Sequence, residues 1–183
     1  MKFECTGISG AYVIAPERIE DGRGFFSRTW CRREFAAHGL DTELVQCNIS
    51  FNRCAGTVRG MHYQAAPSRE AKLIRCTMGA IHDVIIDLRP ESGTYMHAVA
   101  CELTADNRLM LYVPEGVAHG FQTRTDNTEI FYQMSEYYNP EAACGLRWND
   151  PSLNIEWPAD VTVISERDRS YADFLPSHNV QVT

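Results

Sequence analysis

Six consecutive residues, Arg59 to Gln64 (Arg-Gly-Met-His-Tyr-Gln), contain a cation, an imidazole, a phenol and an amide. Turn-like residues precede this segment, and Pro67 and Ser68 follow it. Such a segment predicts a strand that carries polar groups into a pocket. A single histidine on a strand is usually structural, so His62 is a candidate base only if other reactive groups accompany it.

Three residues farther along the chain supply such groups. Lys72 is a cation, and His119 lies among small residues that let a ligand approach closely. Alternation along residues 129–135 places Tyr132 on an apolar face with Ile130 and Met134. That position suits either a core tyrosine or a phenol that faces the pocket as a proton donor.

A base, a cation and an acid together suit proton abstraction next to a carbonyl. His62 would take the α-proton, Lys72 would stabilise the enolate, and Tyr132 would return a proton from the other face. The alternative is a metal site of the cupin type, which uses a His-x-His pair, a nearby Glu and a later His. Here Gln64 follows His62, and Lys72 stands where the Glu is expected, so ligands are too few. We expect no metal and no cofactor.

The elements that must position these groups are predicted to be short strands separated by turn residues, which is typical of an antiparallel sandwich or barrel. The clearest runs are Glu43–Phe51, Lys72–Thr77, Ile81–Leu88, His97–Leu103, Arg108–Val113 and Thr128–Ser135. Residues 31–38 predict a short helix that ends at Gly39, and the segment after Ser165 is either a second short helix or an ordered arm. Nothing suggests a repeat or a linker, so a single domain over residues 1–183 is expected.

Two local features need a special backbone. Gly22 and Gly24 mark a turn, which is either a hairpin whose phenylalanines anchor it to the core or a loop whose Arg23 and Phe26 meet a ligand. Arg59 and His62 are three residues apart, so a regular strand would place them on opposite faces. If both enter the pocket, we expect a bulge at Gly60.

The composition excludes some classes of function. With 183 residues and a net charge of -7, the chain is not expected to bind nucleic acid or an anionic membrane. Its seven cysteines form no Cys-x-x-Cys pair, and the first residues lack the apolar run of a signal peptide. We therefore expect a cytoplasmic protein with free thiols.

The motifs taken together resemble the nucleotide-sugar 3,5-epimerases typified by dTDP-4-dehydrorhamnose 3,5-epimerase. The likeness extends over roughly residues 3 to 175. The motifs that carry it, in family order, are residues 21–26 (DGRGFF), 46–48 (QCN), 59–64 (RGMHYQ), 72–73 (KL), 87–89 (DLR), 114–121 (PEGVAHGF), 148–150 (WND) and 165–168 (SERD).

This resemblance implies an all-β fold, a cupin-like double-stranded β-helix (jelly roll) with a few short helices, that needs no metal and forms a homodimer. It implies that His62 removes protons at C3 and C5 of a nucleotide-diphosphate 4-keto-6-deoxy sugar and that Asp168 orients it. Tyr132 would be the acid, and Lys72 would stabilise the enolate. Substrate-binding roles are implied for nine residues: Arg23, Phe26, Arg28, Gln46, Asn48, Arg59, His119, Tyr138 and Arg167. Of these, Arg23 and Phe26 match a loop that such dimers lend to the partner subunit.

Three positions depart from the family pattern. Arg28 stands where the family usually has Glu, and Ala143 stands where Glu is frequent; an arginine at position 28 could pair with a phosphate. Glu70-Ala71 replaces a pair that commonly contains Gln. The alternatives that stay open are an epimerase acting at one carbon, a sugar-nucleotide binding module without catalysis, and a metal-dependent cupin oxygenase.

Overall fold

A computed structural model describes residues 1–175, which form short strands and two short helices. The first seven strands are β1 Lys2–Cys5, β2 Tyr12–Ala15, β3 Arg18–Asp21, β4 Gly24–Ser27, β5 Gln46–Asn52, β6 Thr57–Gln64 and β7 Lys72–Met78. The next seven are β8 Ala80–Asp87, β9 Ala98–Thr104, β10 Met110–Val113, β11 Val117–Thr123, β12 Thr128–Met134, β13 Ala143–Gly145 and β14 Val163–Ile164. The helices are α1 Arg32–Ala37 and α2 Glu166–Arg169.

Two sheets account for most of these strands. One has the order β1-β2-β10-β7-β12-β5, and the other has the order β13-β6-β11-β8-β9, with β14 added beside β6. All neighbours in both sheets are antiparallel except β14, which runs parallel to β6. The antiparallel two-sheet arrangement predicted from the spacing of short strands is thereby confirmed.

The main core lies between the two sheets. It combines Ile74 and Ile130 of the first sheet with Ile81, Ile85 and Phe121 of the second, all buried. Alternation along each strand directs these side chains inward, as the sequence predicted for residues 128–135. Burial of several aliphatic side chains, worth about 1.5–3 kcal/mol each, holds the sheets face to face.

Helix α1 covers one end of the first sheet on its outer side. Phe35 of the helix is buried against Tyr112 and Leu73. The helix ends as predicted, since Gly39 has a φ of +69°, which suits glycine after a helix C-terminus. No element of residues 1–175 covers the outer face of the same sheet near β5, where Ile49 and Phe51 are exposed.

The predicted hairpin at residues 18–27 is confirmed, because β3 and β4 pair with each other. Of the two alternatives for this hairpin, the one in which its phenylalanines anchor it to the core is not what the structure shows. Phe26 is 70% exposed, and Phe25 lies against the guanidinium groups of Arg18 and Arg108. The hairpin forms a separate two-stranded sheet, so neither ring reaches the core.

The predicted bulge at Gly60 is also confirmed. In the pairing of β6 with β11, His62 lies opposite His119, and Arg59 lies opposite Phe121, so β6 has one extra residue between the two pairs. Gly60 has a φ of +133°, and a Cβ on it would lie 2.4 Å from the Cα of Gly120. Only glycine fits this position, and the extra residue lets Arg59 and His62 face the same cavity.

The helices are short, and the cysteines are unpaired. Within residues 1–175, neither helix is long and apolar enough to cross a membrane. All seven cysteines are free thiols, as the sequence led us to expect.

Candidate active site

A cavity of about 410 Å³ opens between the two sheets and contains most of the predicted site residues. The predicted residues that line it are Gln46, Asn48, Arg59, His62, Lys72, His119, Tyr132, Tyr138 and Arg167. Asp168 lies behind His62 and contacts it directly. The structure thus gathers into one place residues that are up to 121 positions apart in the chain.

His62 and Asp168 form a histidine–carboxylate pair. The distance from His62 Nε2 to Asp168 Oδ1 is 2.7 Å, and the backbone N–H of Gly60 donates to the other carboxylate oxygen at 3.3 Å. Asp168 is held because Ser165 caps α2, with its side-chain oxygen accepting from the Asp168 N–H at 3.0 Å. Since Nε2 is engaged, Nδ1 is the ring nitrogen that can accept a proton from a substrate.

The electrostatics of this pair favour an ionised Asp168. Burial raises the pKa of the Asp168 carboxyl, but the hydrogen bond and charge of His62 and the N–H of Gly60 lower it by more. The net result is a pKa below the ordinary value for aspartate. An ionised, buried carboxylate is suited to stabilise an imidazolium that forms on His62.

Lys72 places an ammonium group beside His62. It is the first residue of β7, and its Nζ donates to the backbone oxygen of His62 at 3.3 Å. The same Nζ lies 2.7 Å from a carboxylate oxygen of Glu70. Both side chains are almost fully buried, so the ammonium is fixed at the inner wall of the cavity.

Tyr132 lies on β12, in register with Asn48 of β5 and Ile74 of β7. Its ring packs against the core, and its side chain also lines the cavity, so both interpretations of this residue from the sequence apply in part. Burial raises the pKa of the Tyr132 phenol, while the charge of Arg59 lowers it and that of Glu70 raises it. The phenol is therefore protonated at neutral pH and can donate a proton.

His119 faces the cavity from the strand next to His62. Its Nε2 lies 2.7 Å from Oδ1 of Asp83, a fully buried carboxylate on β8. His62 and His119 are paired residues on β6 and β11, so two histidines, each with its own carboxylate, stand side by side. The two are not equally accessible: the His119 side chain is 12% exposed and that of His62 is 41% exposed.

Polar groups that could bind a ligand continue along β5. Gln46 donates through its amide to the side-chain oxygen of Asn48 at 3.2 Å and accepts from the backbone N–H of Tyr138 at 3.0 Å. Arg59 is oriented by Asn52, whose side-chain oxygen accepts from its Nε at 2.7 Å. The rest of the Arg59 guanidinium remains exposed toward the cavity.

Arg167 and Tyr138 form the outer rim. Arg167 donates from Nε to the hydroxyl of Tyr171 at 2.8 Å and from its terminal nitrogen to the backbone oxygen of Ala143 at 3.3 Å. The hydrogen bond with Tyr138, followed by the interactions with Tyr171, raises the pKa of the Arg167 guanidinium. The rim thus presents a guanidinium between two phenol rings, which suits a phosphate and a flat heterocycle.

Three predicted binding residues do not reach this cavity within one chain. Arg23 is bound to Asp21, and the ring of Phe26 points into solvent. Arg28 donates to Glu34 of α1 at 2.9 Å, so its proposed pairing with a phosphate has a competitor within its own chain. The binding roles of all three residues remain predictions, and those of Arg23 and Phe26 depend on a second subunit.

The sequence reasoning missed two buried carboxylates of the site. Glu70 precedes Lys72 by two residues, and this spacing predicts that both side chains share a face. Asp83 shares one face of β8 with the core residues Ile81 and Ile85, which is the signal for a carboxylate that enters the interior. Each is the partner of a residue that was identified as a candidate.

The arrangement suits acid–base chemistry at a carbon next to a carbonyl. Base, ammonium and phenol line one cavity, with a buried carboxylate behind the base. Among residues 1–175, no group of three or more histidine, cysteine, aspartate or glutamate side chains is arranged to hold a metal ion.

Comparisons with known proteins agree with this chemistry. A family model described as dTDP-4-dehydrorhamnose 3,5-epimerase matches residues 5–175. A protein of that name from Sinorhizobium fredii is 42% identical over 171 residues, which cover 93% of this chain and 88% of the relative.

Solved structures show the same fold. The crystal structure of dTDP-4-dehydrorhamnose 3,5-epimerase from Bacillus anthracis with TDP and PPi bound is 38% identical, has a TM-score of 0.91, and matches over 94% of this chain and 99% of its own. ChmJ, a 3'-monoepimerase from Streptomyces bikiniensis in complex with dTDP-quinovose, is 30% identical with a TM-score of 0.83 over 91% and 84% of the two chains. The predicted cupin-like jelly roll is thereby confirmed.

Proposed function

The chain belongs to the dTDP-4-dehydrorhamnose 3,5-epimerase family and is an epimerase of the isomerase class, and on that basis we propose that it inverts C3 and C5 of a dTDP-4-keto-6-deoxy sugar. The observation that carries this proposal is the His62–Asp168 pair in one cavity with Lys72 and Tyr132. The 4-keto group makes the protons at both neighbouring carbons acidic, which is the property that this set of groups uses.

The proposed reaction proceeds through an enolate. His62 Nδ1 takes the proton from C3 or C5, and the electrons of the broken C–H bond form a C=C bond as the carbonyl oxygen becomes negative. The buried ammonium of Lys72 stabilises that oxygen. Tyr132 then gives its proton to the opposite face of the carbon, which inverts the centre.

Each inversion leaves an imidazolium on His62 and a phenolate on Tyr132. The imidazolium is stabilised by Asp168, whose carboxylate lies 2.7 Å away. Loss of a proton from His62 to solvent and gain of one by Tyr132 restore the starting state. A second cycle at the other carbon completes the double epimerisation.

The nucleoside diphosphate is proposed to occupy the outer half of the cavity. The net charge of the chain is -7, yet two guanidinium groups, those of Arg59 and Arg167, face this region. Guanidinium groups bind phosphate oxygens through paired hydrogen bonds. The ring of Tyr138 lies next to Arg167 and offers a surface for the base, while Gln46 and Asn48 offer amide groups.

Proton NMR in deuterated water tests the reaction directly. With dTDP-4-keto-6-deoxyglucose, we expect deuterium to enter both C3 and C5 and the product with both centres inverted to accumulate. Exchange at one carbon only would make the protein a single-position epimerase. Binding of dTDP by calorimetry without any exchange would leave a binding module and contradict the proposed catalysis.

A homodimer is proposed as the working form. On β5, Ile49 is 63% exposed and Phe51 is 46% exposed, on the side of the sheet that faces away from the cavity. Phe131 lies opposite Ile49 on β12 and extends this apolar surface. A contiguous apolar patch on a sheet typically marks a protein interface, and the exposed Phe26 of the hairpin is a second such group.

Mixing two inactive variants tests whether the hairpin completes the partner's cavity. In a mixed dimer of His62→Ala and Arg23→Ala subunits, one cavity combines an intact His62 with an intact Arg23 from the other subunit. We therefore expect mixing to restore activity. If Arg23 acts within its own chain, or if sedimentation shows a monomer, mixing restores nothing.

Two expectations complete the proposal. Seven free cysteines fit a reducing compartment, and we propose that the protein works in the cytoplasm. A single domain over residues 1–183 is proposed as well, and limited proteolysis that released a stable fragment smaller than residues 5–175 would contradict it.

A further inference from the structure

Glu70 is a buried carboxylate in the cavity that has no role in the reaction as described above. Its side chain is 4% exposed, and one carboxylate oxygen lies 2.7 Å from Lys72 Nζ. Glu70 is fixed by its neighbour, because Ala71 exchanges two hydrogen bonds with Ser135: its N–H donates to the Ser135 hydroxyl, and its carbonyl accepts from the Ser135 N–H. The backbone next to Glu70 is therefore tied to Ser135, which limits where its side chain can go.

The contacts of Glu70 are not those expected of a group kept for stability. Its second oxygen, Oε2, is buried and has no hydrogen-bond partner among the described residues. Removing a charged pair from water costs free energy that the mutual attraction often fails to offset, and an unpartnered oxygen adds to that cost. A buried pair with an open acceptor beside candidate catalytic groups indicates a functional constraint.

Lys72 depends on Glu70 for its position. The Nζ group has two contacts in the described residues, the Glu70 oxygen at 2.7 Å and the backbone oxygen of His62 at 3.3 Å. The first is short and involves two charges, so it is the stronger. A lysine side chain has four rotatable bonds, so without Glu70 the ammonium can leave this position.

We propose that Glu70 is a positioning residue for the epimerisation, one that holds the Lys72 ammonium where the enolate oxygen forms. The inference rests on the proposed function and deepens it, because it adds a carboxylate to the groups that set the rate. Glu70 acts on the acid as well: its charge is one of the causes that raise the pKa of Tyr132, after burial. One carboxylate thus supports both the cation and the proton donor.

Glu70→Gln tests the inference with the least change of shape. The amide oxygen of Gln can still accept from Lys72, but the negative charge is lost. We expect kcat to fall about tenfold, as for the loss of one charge-assisted hydrogen bond, with KM nearly unchanged because the nucleotide is bound elsewhere. Glu70→Ala removes the acceptor too and should lower kcat on the order of 100-fold through misplacement of Lys72.

The pH profile separates this role from a merely structural one. Without the Glu70 charge one cause that raises the pKa of the Tyr132 phenol is lost, so the alkaline limb of kcat should move to lower pH. Glu4→Gln, which removes one exposed carboxylate on β1, is the matched control and should leave the profile unchanged. Thermal unfolding and dTDP binding establish that each variant is folded.

The outcomes distinguish failure of the role proposed for Glu70 from failure of the proposed function. If the wild-type protein epimerises and Glu70→Gln keeps both the wild-type kcat and the wild-type alkaline limb, the inference is overturned and the proposed function stands. A lower melting temperature with an unchanged pH profile overturns it in the same way. If the wild-type protein shows no exchange at C3 or C5, the proposed function fails and this inference fails with it.

Discussion

Replacing Asp168 by Asn should separate the role of the carboxylate from that of the histidine it supports. The change keeps the size of the side chain and an oxygen that can accept from the Gly60 N–H. It removes the negative charge 2.7 Å from His62 Nε2. The loss should therefore appear when a positive charge develops on His62, that is, during proton removal.

The magnitude follows from the geometry. With about 4 Å between the charge centres and an effective dielectric constant of about 20, the attraction between imidazolium and carboxylate is about 4 kcal/mol. Because the His62 side chain is 41% exposed, screening by solvent reduces this to about 2–3 kcal/mol. A barrier higher by that amount lowers kcat about 30- to 150-fold. KM should change little, since Asp168 lies behind the base.

The assay is deuterium exchange at C3 and C5 followed by NMR, together with the rate of product formation. Both rates should fall by the same factor, because both begin with proton removal by His62. Asp173→Asn is the control: Asp173 lies in the same terminal segment and pairs with Arg147, and its side chain is exposed. A folded Asp168→Asn protein that exchanges deuterium at the wild-type rate would refute the role assigned to this pair.

Three further predictions follow from single observations. Tyr132→Phe should retain proton exchange at C3 and C5 and lose inversion, which NMR in deuterated water detects; normal epimerisation would show that Tyr132 is not the donor. Gly60→Ala should lower the free energy of unfolding by about 3 kcal/mol, because the new Cβ would lie 2.4 Å from the Cα of Gly120. The melting temperature should fall by about 6–12 °C. Gly22→Ala is the control: a Cβ there has no atom within 4 Å, so the melting temperature should not change. The pKa of Asp168 is lowered in the folded state, so its contribution to stability is present above about pH 4 and is lost as the pH falls through the folded-state pKa. Below about pH 4 the free energy of unfolding of the wild-type protein should therefore decline more steeply than that of Asp168→Asn. Parallel curves for the two proteins would contradict the lowered pKa.

Alternation and turn chemistry were enough to predict the scaffold of the site. The strand that carries Tyr132 was recognised because Ile130 and Met134 share its face, and Gly60 was recognised as a bulge because Arg59 and His62 are three residues apart. These are local signals, since each depends on the few residues that pack on one face of a strand. Strands β13 and β14, of three and two residues, are too short to give such a signal.

The pairing of carboxylates with bases is not a local property. Asp168 and His62 are 106 residues apart, and the resemblance to a family, rather than spacing, connected them. Phe26 shows the same limit. The turn at Gly22 and Gly24 left open whether its ring anchors the hairpin or meets a ligand, because hydrophobicity does not specify which chain supplies the buried surface. A sequence pattern indicates that a side chain is buried or paired in the folded protein, but it does not identify the residue or the subunit that it contacts.

The difference between the two histidines explains which of them can serve as the base. Asp83 belongs to β8, the strand beside β11, so the His119–Asp83 pair is built within one sheet and is nearly closed to solvent. Asp168 comes instead from α2, which follows the short strand β14 that is added to β6. It therefore approaches His62 from the far side and leaves much of the ring open to the cavity. A base must exchange its proton with substrate and then with solvent in every cycle, and only the more exposed histidine meets both conditions. We therefore propose that His119, whose Nε2 lies 2.7 Å from the fully buried Asp83, binds the sugar rather than acting as the base.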